Sequence, residues 1–216
     1  MTNVQRRRRG QQLHPPSYAP GVETDAELCK RLRDGDEEAF VTLVSRYHEP
    51  MTRLARSVVA SQSVAEEAVQ DTWMGVVRGI DRFEGRSSFK TWLFRILINR
   101  ARSAGAQEPS NAPIEALRSV DPSRFNTRGQ WAEPVVHWVE ETDDRLDAAK
   151  WSPVLSSALA DLPARQRQVV ILRDVEGLSS QEVCGLLGIA AGNQRILLHR
   201  GRSRLRAVVE AKMAGD

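Results

Sequence analysis

Ser179-Ser-Gln-Glu-Val-Cys-Gly-Leu-Leu-Gly188-Ile-Ala-Ala-Gly-Asn-Gln-Arg195-Ile-Leu-Leu-His-Arg-Gly-Arg-Ser-Arg-Leu-Arg206 decides how the end of the chain folds. Ser179 with Glu182 makes a capping box, which opens a short helix through Val183, Leu186 and Leu187. Gly188 supplies a tight turn, and a longer helix runs from about Ala191 to Ala211. Short helix, glycine turn and longer basic helix is the helix-turn-helix plan, whose second helix enters the DNA major groove. In that second helix Leu198, Gly201 and Leu205 form an inward stripe, and Gly201 is small enough for close helix contact. Gln194 falls where the stripe would favour an apolar side chain. Arg195, His199, Arg202 and Arg206 share the opposite face, with Arg200 and Arg204 at its margins. No acidic residue lies between Arg195 and Arg206. Phosphates attract such a face, and an N-terminal Arg or Asn also reaches base edges.

Upstream of this unit, a helix through Leu155 and Leu159 ends at Asp161-Leu162-Pro163, and Pro163 suits the first turn of the next helix. That next helix is expected to run to about Asp174 and stop near Gly177. Residues 105–152 differ in character. Five prolines, from Pro109 to Pro153, punctuate its weak apolar signals, and residues 105–152 carry 5 basic against 9 acidic side chains, net −4. A long irregular stretch inside one compact domain is disfavoured, so it reads as an acidic linker between two domains. Trp131, Trp138 and Trp151, spaced through it, point to docking on the chain's own domains or on a partner.

The first block, residues 25–104, is helical throughout and shows no alternating strand pattern. Leu28 and Leu32, then Phe40, Leu43, Val44 and Tyr47, recur at spacings of three and four, and Gly35-Asp36 breaks the run and caps the second helix. A third helix is expected from about Met51 to Val59, and a fourth from Val64 to Gly79, capped by Ser63 with Glu66. The fourth buries Ala65, Val69, Trp73, Val76 and Ile80. It turns Glu67, Gln70, Asp71 and Met74 the other way, an acidic face suited to a protein and not to DNA. A loop, Phe83-Glu-Gly-Arg86-Ser87-Ser88, leads into a fifth helix from Phe89 to Ser103. There Trp92, Arg95, Asn99 and Arg102 share one face, and aromatics beside Arg suit stacking on unpaired bases. The fold class is all-α: two small helical domains, residues 25–104 and 153–216, joined by the linker.

Composition excludes several classes. Of the 216 residues 41% are hydrophobic and 27% charged, a soluble balance. No stretch nears the roughly 20 apolar residues of a membrane span. Residues 1–24 hold Arg6-Arg-Arg-Arg9 with no apolar run after it, so they read as a disordered basic arm and not as a secretory signal. Cys29 and Cys184 sit far apart in helical patterns, and no CxxC pair exists, so neither a disulfide framework nor a metal site is expected. Both cysteines read as small apolar residues in a cytoplasmic, reducing setting. The four His are isolated, the acids are scattered, and no nucleotide-binding glycine loop appears; an enzyme is not expected, and no cofactor.

Gly35-Asp36-Glu-Glu-Ala-Phe40, Ala65-Glu-Glu-Ala-Val-Gln-Asp-Thr-Trp73 and Phe83 through Arg95, with Leu162-Pro-Ala-Arg-Gln-Arg-Gln-Val-Val170 and Gly188 through Arg206, together resemble bacterial sigma factors of the extracytoplasmic-function (ECF) type. The resemblance covers about residues 25–104 (region 2) and 153–210 (region 4). It implies a subunit that binds core RNA polymerase and directs promoter recognition, DNA opening and transcription initiation. It also implies that Glu67, Gln70, Asp71 and Met74 bind the polymerase clamp. The loop Phe83–Ser88, including Arg86, Ser87 and Ser88, would hold a flipped base of the minus-ten element together with Trp92, Arg95 and Asn99. Arg195, His199, Arg200 and Arg202 would read the minus-thirty-five element. Ile196 and Leu197 stand where the family often has a small polar and a basic residue, so the promoter sequence stays open. The partners implied are core RNA polymerase, promoter DNA and an anti-sigma factor, without membrane insertion. The acidic linker corresponds to the family's variable linker. The alternative is a stand-alone helix-turn-helix transcriptional regulator, which would bind duplex tightly without polymerase.

Overall fold

Five of the helices begin where a side chain satisfies their first free N–H groups. The computed structural model describes residues 23–106 and 148–215, all helix, turn or loop. The Arg run and most of the acidic linker, with Trp131 and Trp138, lie outside these residues. Helix α1 (Asp25–Arg33) opens on a capping box of Thr24 and Glu27. Asp36 caps α2 (Glu37–Ala55) by accepting from the N–H groups of Glu38 and Ala39. Gly35, at φ +84°, makes the reversal between them. Arg31 ties the corner together, binding Glu23 on one side and Asp36 on the other. Then come α3 (Gln62–Gly79), a 3-10 turn at Ile80–Arg82, and α4 (Phe89–Gly105), capped by Ser88. Their apolar stripes meet in one core containing Leu28, Leu43, Leu54, Val69, Leu93 and Phe94.

Two expectations about this block need correction. No separate third helix starts at Met51, because α2 runs unbroken through Pro50. The proline forfeits one backbone hydrogen bond, but Leu43, Tyr47, Met51 and Leu54 keep a continuous buried stripe, and that packing outweighs the roughly 3 kcal/mol penalty. The cap of α3 is Ser61, whose Oγ accepts from the Val64 N–H at 3.5 Å, and not Ser63. Ser63 instead lies beyond the cap, hydroxyl to hydroxyl with Ser61 at 2.8 Å.

The second block contains α5 (Ala148–Ala160), α6 (Ala164–Val170), α7 (Ser180–Leu187) and α8 (Ala191–Gly215). Pro163 stands at the N-cap of α6, one residue ahead of its expected first-turn place. Helix α6 does not continue regularly to Asp174. It widens into a π-helical turn at Ile171–Val175, closed by the Glu176 N–H on the Ile171 carbonyl at 2.8 Å. The capping box of Ser179 and Glu182 starts α7, and Gly188, at φ +67°, ends it. Helix α8 extends past Ala211 to Gly215.

The two blocks do not stand apart. Leu162, Val169, Val170, Leu172, Val183 and Leu186 belong to the same continuous apolar cluster as the first block's core, and α7 lies against α4.

Candidate nucleic-acid interface

Helix α8 is aimed by its inner side. Leu198 is buried, Leu205 half-buried, and Gly201 lies so close to α6 that an added Cβ would stand 2.6 Å from Val170 Cγ2. Gln194 holds the inner position and is 1% exposed. Its Oε1 accepts from the Ser180 hydroxyl at 2.9 Å, which ties the start of α8 to the start of α7. An amide at that position therefore acts as a cross-link between the two helices where the stripe alone favours an apolar side chain.

On the outer side the cations differ in their freedom. Arg195 and Arg200 are exposed and make no ion pair among the described residues. Arg202 is held by Asp174, with bonds of 2.9 and 2.5 Å. Arg206 binds Glu210 one turn on. His199 is half-buried, and its pKa is held below the ordinary imidazole value by burial first, then by Arg200 and Arg202.

The loop before α4 and the helix itself bring only part of the first proposed site together. Arg33 donates to the carbonyls of Ile80 and Phe83 and fixes where the loop leaves the 3-10 turn. Phe83 and Trp92 pack on each other, ring centroids 4.9 Å apart, with Phe89 beside both. Trp92 is thus a wall of the protein's own aromatic cluster and not a free stacking platform. Arg86 pairs with Glu84, and Ser88 is occupied as the helix cap. Ser87 and Asn99 are exposed. Arg95 points toward α7, its Nη2 lying 3.8 Å from where a Cβ on Gly185 would be. Arg102 donates to the Leu187 carbonyl at 3.2 Å, and burial together with Arg165 lowers its pKa.

On α3, Glu67, Gln70, Asp71 and Met74 form one exposed row, with Met74 50% accessible and Asp71 bound to Arg100 at 3.2 Å. Val77, half-exposed, continues the row. No group of three or more potential metal ligands comes together among the described residues. None of the described helices is long and apolar enough to cross a membrane.

Two family descriptions fit these two blocks in order. Sigma-70 region 2 matches residues 43–107, and Sigma-70 region 4 matches residues 154–205. The chain is an ECF-type sigma factor of the sigma-70 family. The ECF RNA polymerase sigma-E factor of Escherichia coli strain K12 is 26% identical over 182 residues, which covers 84% of this chain and 92% of the relative. The sigma-E factor of Haemophilus influenzae is 25% identical over 190 residues, covering 88% and 97%. A solved structure of CnrH in complex with the cytosolic domain of CnrY shares the fold at 23% identity and a TM-score of 0.53, covering 87% of this chain and 97% of that one. As an ECF-type sigma factor the chain binds RNA polymerase and directs transcription initiation, and it is not an enzyme.

Sequence reasoning missed the residues that join the blocks. Arg53, Lys90 and Thr91 reach across to Glu176 and Glu182. In sequence each reads as an ordinary surface polar residue, and Glu176, buried although Asp174, Val175 and Gly177 around it are exposed, gives no sign of its role either.

Proposed function

We propose that residues 25–104 engage core polymerase and the minus-ten element while residues 153–216 read the minus-thirty-five element. The polymerase clamp takes the α3 row of Glu67, Gln70, Asp71 and Met74, where an acidic rim surrounds an exposed Met and Val. The minus-ten element meets the Phe83–Ser88 loop and the exposed Asn99, with Arg86 and Arg95 supplying charge. Trp92 shapes that surface from behind, through Phe83. Extruding a base costs a few kcal/mol, which hydrogen bonds to its edge must offset, and Asn99 offers both a donor and an acceptor.

The observation that carries the reading is the outer face of α8. Arg195 and Arg200 stand free of ion pairs near the start of a helix whose inner side is locked by Gln194 and Gly201. A cationic helix fixed at that end presents its first turns to base edges. An anti-sigma factor is the regulator the family resemblance implies, and the exposed Val41, Met74 and Val77 offer it an apolar seat on the first block. A stand-alone regulator would leave the α3 row and the α4 loop without a role.

Permanganate footprinting tests the split. Asn99→Ala is expected to abolish reactivity of the opened thymines while polymerase still occupies the promoter, and Arg195→Ala is expected to weaken occupancy itself. Unchanged footprints for both variants overturn these assignments.

A further inference from the structure

Ile196 and Leu197, the two positions that leave the promoter sequence open, are treated oppositely by the fold. Leu197 packs half-buried against the continuous core. Ile196 is 51% exposed, in the second turn of α8. At 3.6 residues per turn, Gln194, Leu198, Gly201 and Leu205 share one side of the helix, and Ile196 falls nearly diametrically opposite them. Ser180 holds Gln194 and Val170 abuts Gly201, so the opposite side is fixed as well. Ile196 thus occupies the centre of the outward face, between the exposed Arg195 and Arg200.

The turn ahead of it is bare. Gly192, four residues earlier, is exposed, and an added Cβ there would meet nothing within 4 Å. Helical side chains lean toward the N-terminus, so Ile196 overlies this open turn. Its β-branched side chain is stiff at χ1 and presents its methyl groups at little entropic cost. Phosphate contacts come from cations, polar side chains and backbone N–H groups, and an isoleucine side chain supplies none of these. It supplies an apolar surface, in the first turns of a helix whose N-terminal residues meet base edges.

One base answers that surface. In the major groove thymine presents a C5 methyl group, whereas cytosine and adenine present amino groups and guanine the O6 acceptor. Covering a polar edge with isoleucine strips its water and returns no hydrogen bond, which is disfavoured.

We propose that Ile196 is a specificity-determining residue of α8 and that it selects thymine at one position of the minus-thirty-five element by packing on the 5-methyl group. The inference rests on the assignment of α8 to that element, and it names the base that the exposed isoleucine recognises.

Replacing thymine by uracil in the DNA tests it, because only the methyl group is lost. Holoenzyme assembled from the full-length chain and core polymerase first selects duplexes from a promoter library randomised across the minus-thirty-five element. Each thymine of the selected element, on either strand, is then exchanged singly for uracil, and affinity is measured by titration. At one thymine the wild type should lose about fourfold, the worth of one buried methyl group. Cytosine at that position should cost about tenfold or more. Ile196→Ala should bind thymine and uracil there equally, with its thermal midpoint by circular dichroism unchanged, because the substitution opens no cavity in the core. Ile196→Gln, taken through the same library, should exchange thymine for adenine at that position alone. A selected element with no thymine sensitive to the exchange, or equal sensitivity in Ile196→Ala and wild type, overturns the assignment. Failure of the underlying reading has a different signature: Arg195→Ala and Arg200→Ala then also leave minus-thirty-five binding unchanged, and the inference falls with it.

Discussion

Arg195 and Arg202 carry the same side chain on the same helix, yet only Arg195 is free to leave the protein surface. Arg202 must first part from Asp174, whose carboxylate binds it through two nitrogens. Arg195→Ala should therefore cost minus-thirty-five binding about 1–3 kcal/mol if it grips a base, and Arg202→Ala distinctly less. Titration of a labelled duplex with each holoenzyme measures the difference. His199 gives a second prediction, with a sign. Its pKa is depressed in the folded chain, so it adds stability above the ordinary imidazole pKa and loses it as pH falls through the depressed value. A phosphate contact would favour the protonated form, so duplex affinity should rise between about pH 7.5 and pH 6 in wild type and stay flatter in His199→Gln. Equal pH profiles, at fixed ionic strength, would remove His199 from the interface. Cys29 is buried, and burial pushes its thiol up to about 11, so it stays protonated and slow to react. At this scale the sequence showed residue types and helical faces clearly. It did not show that Arg202 had a partner 28 positions earlier, because that pairing depends on how α8 crosses the turn after α6.

Among the elements, the contact between α6 and α8 is the least tolerant of change. Gly201 admits Val170 and the Gln166 backbone where any side chain would intrude, with the nearest atom at 2.6 Å. Gly201→Ala should destabilise the second block by about 1–3 kcal/mol through overpacking, despite the better helix propensity of alanine. It should also weaken minus-thirty-five recognition, because α8 shifts on its support. Thermal unfolding followed by circular dichroism checks the first effect; an unaltered midpoint would show that Val170 yields freely. Periodicity made this glycine legible, as it did the capping boxes at Ser179 and the cap at Asp36. It failed at Pro50 and at the π-helical turn for one shared reason. Both are places where tertiary packing overrides the local rule, a buried stripe carrying α2 through a proline, and a wider turn setting Glu176 between the two blocks. Glu182 shows the same dependence on context. Burial pushes its pKa upward, but bonds from Thr91 and Ser179 outweigh that and leave it lowered.

For the molecule as a whole, the sequence made the two helical blocks and the family legible and left their mutual packing hidden. Amphipathic patterns identify which face of a helix is buried, but not whether a neighbouring block helps to bury it. Here Lys90 and Thr91 look like solvent-facing positions on α4 until α7 and Glu176 are set against them. Of the groups proposed for polymerase and DNA, the α3 row, Arg86, Ser87, Ser88, Arg95, Asn99, Arg195 and Arg200 are exposed in the joined structure, whereas Phe83, Trp92 and His199 are half-buried. This chain confers promoter choice on an enzyme it does not itself contain. Run-off transcription with purified core polymerase on a genomic promoter library measures that directly. The account predicts discrete transcripts from a subset of promoters, present with the chain and absent without it. An identical transcript pattern from core polymerase alone and from core polymerase with the folded chain would contradict it.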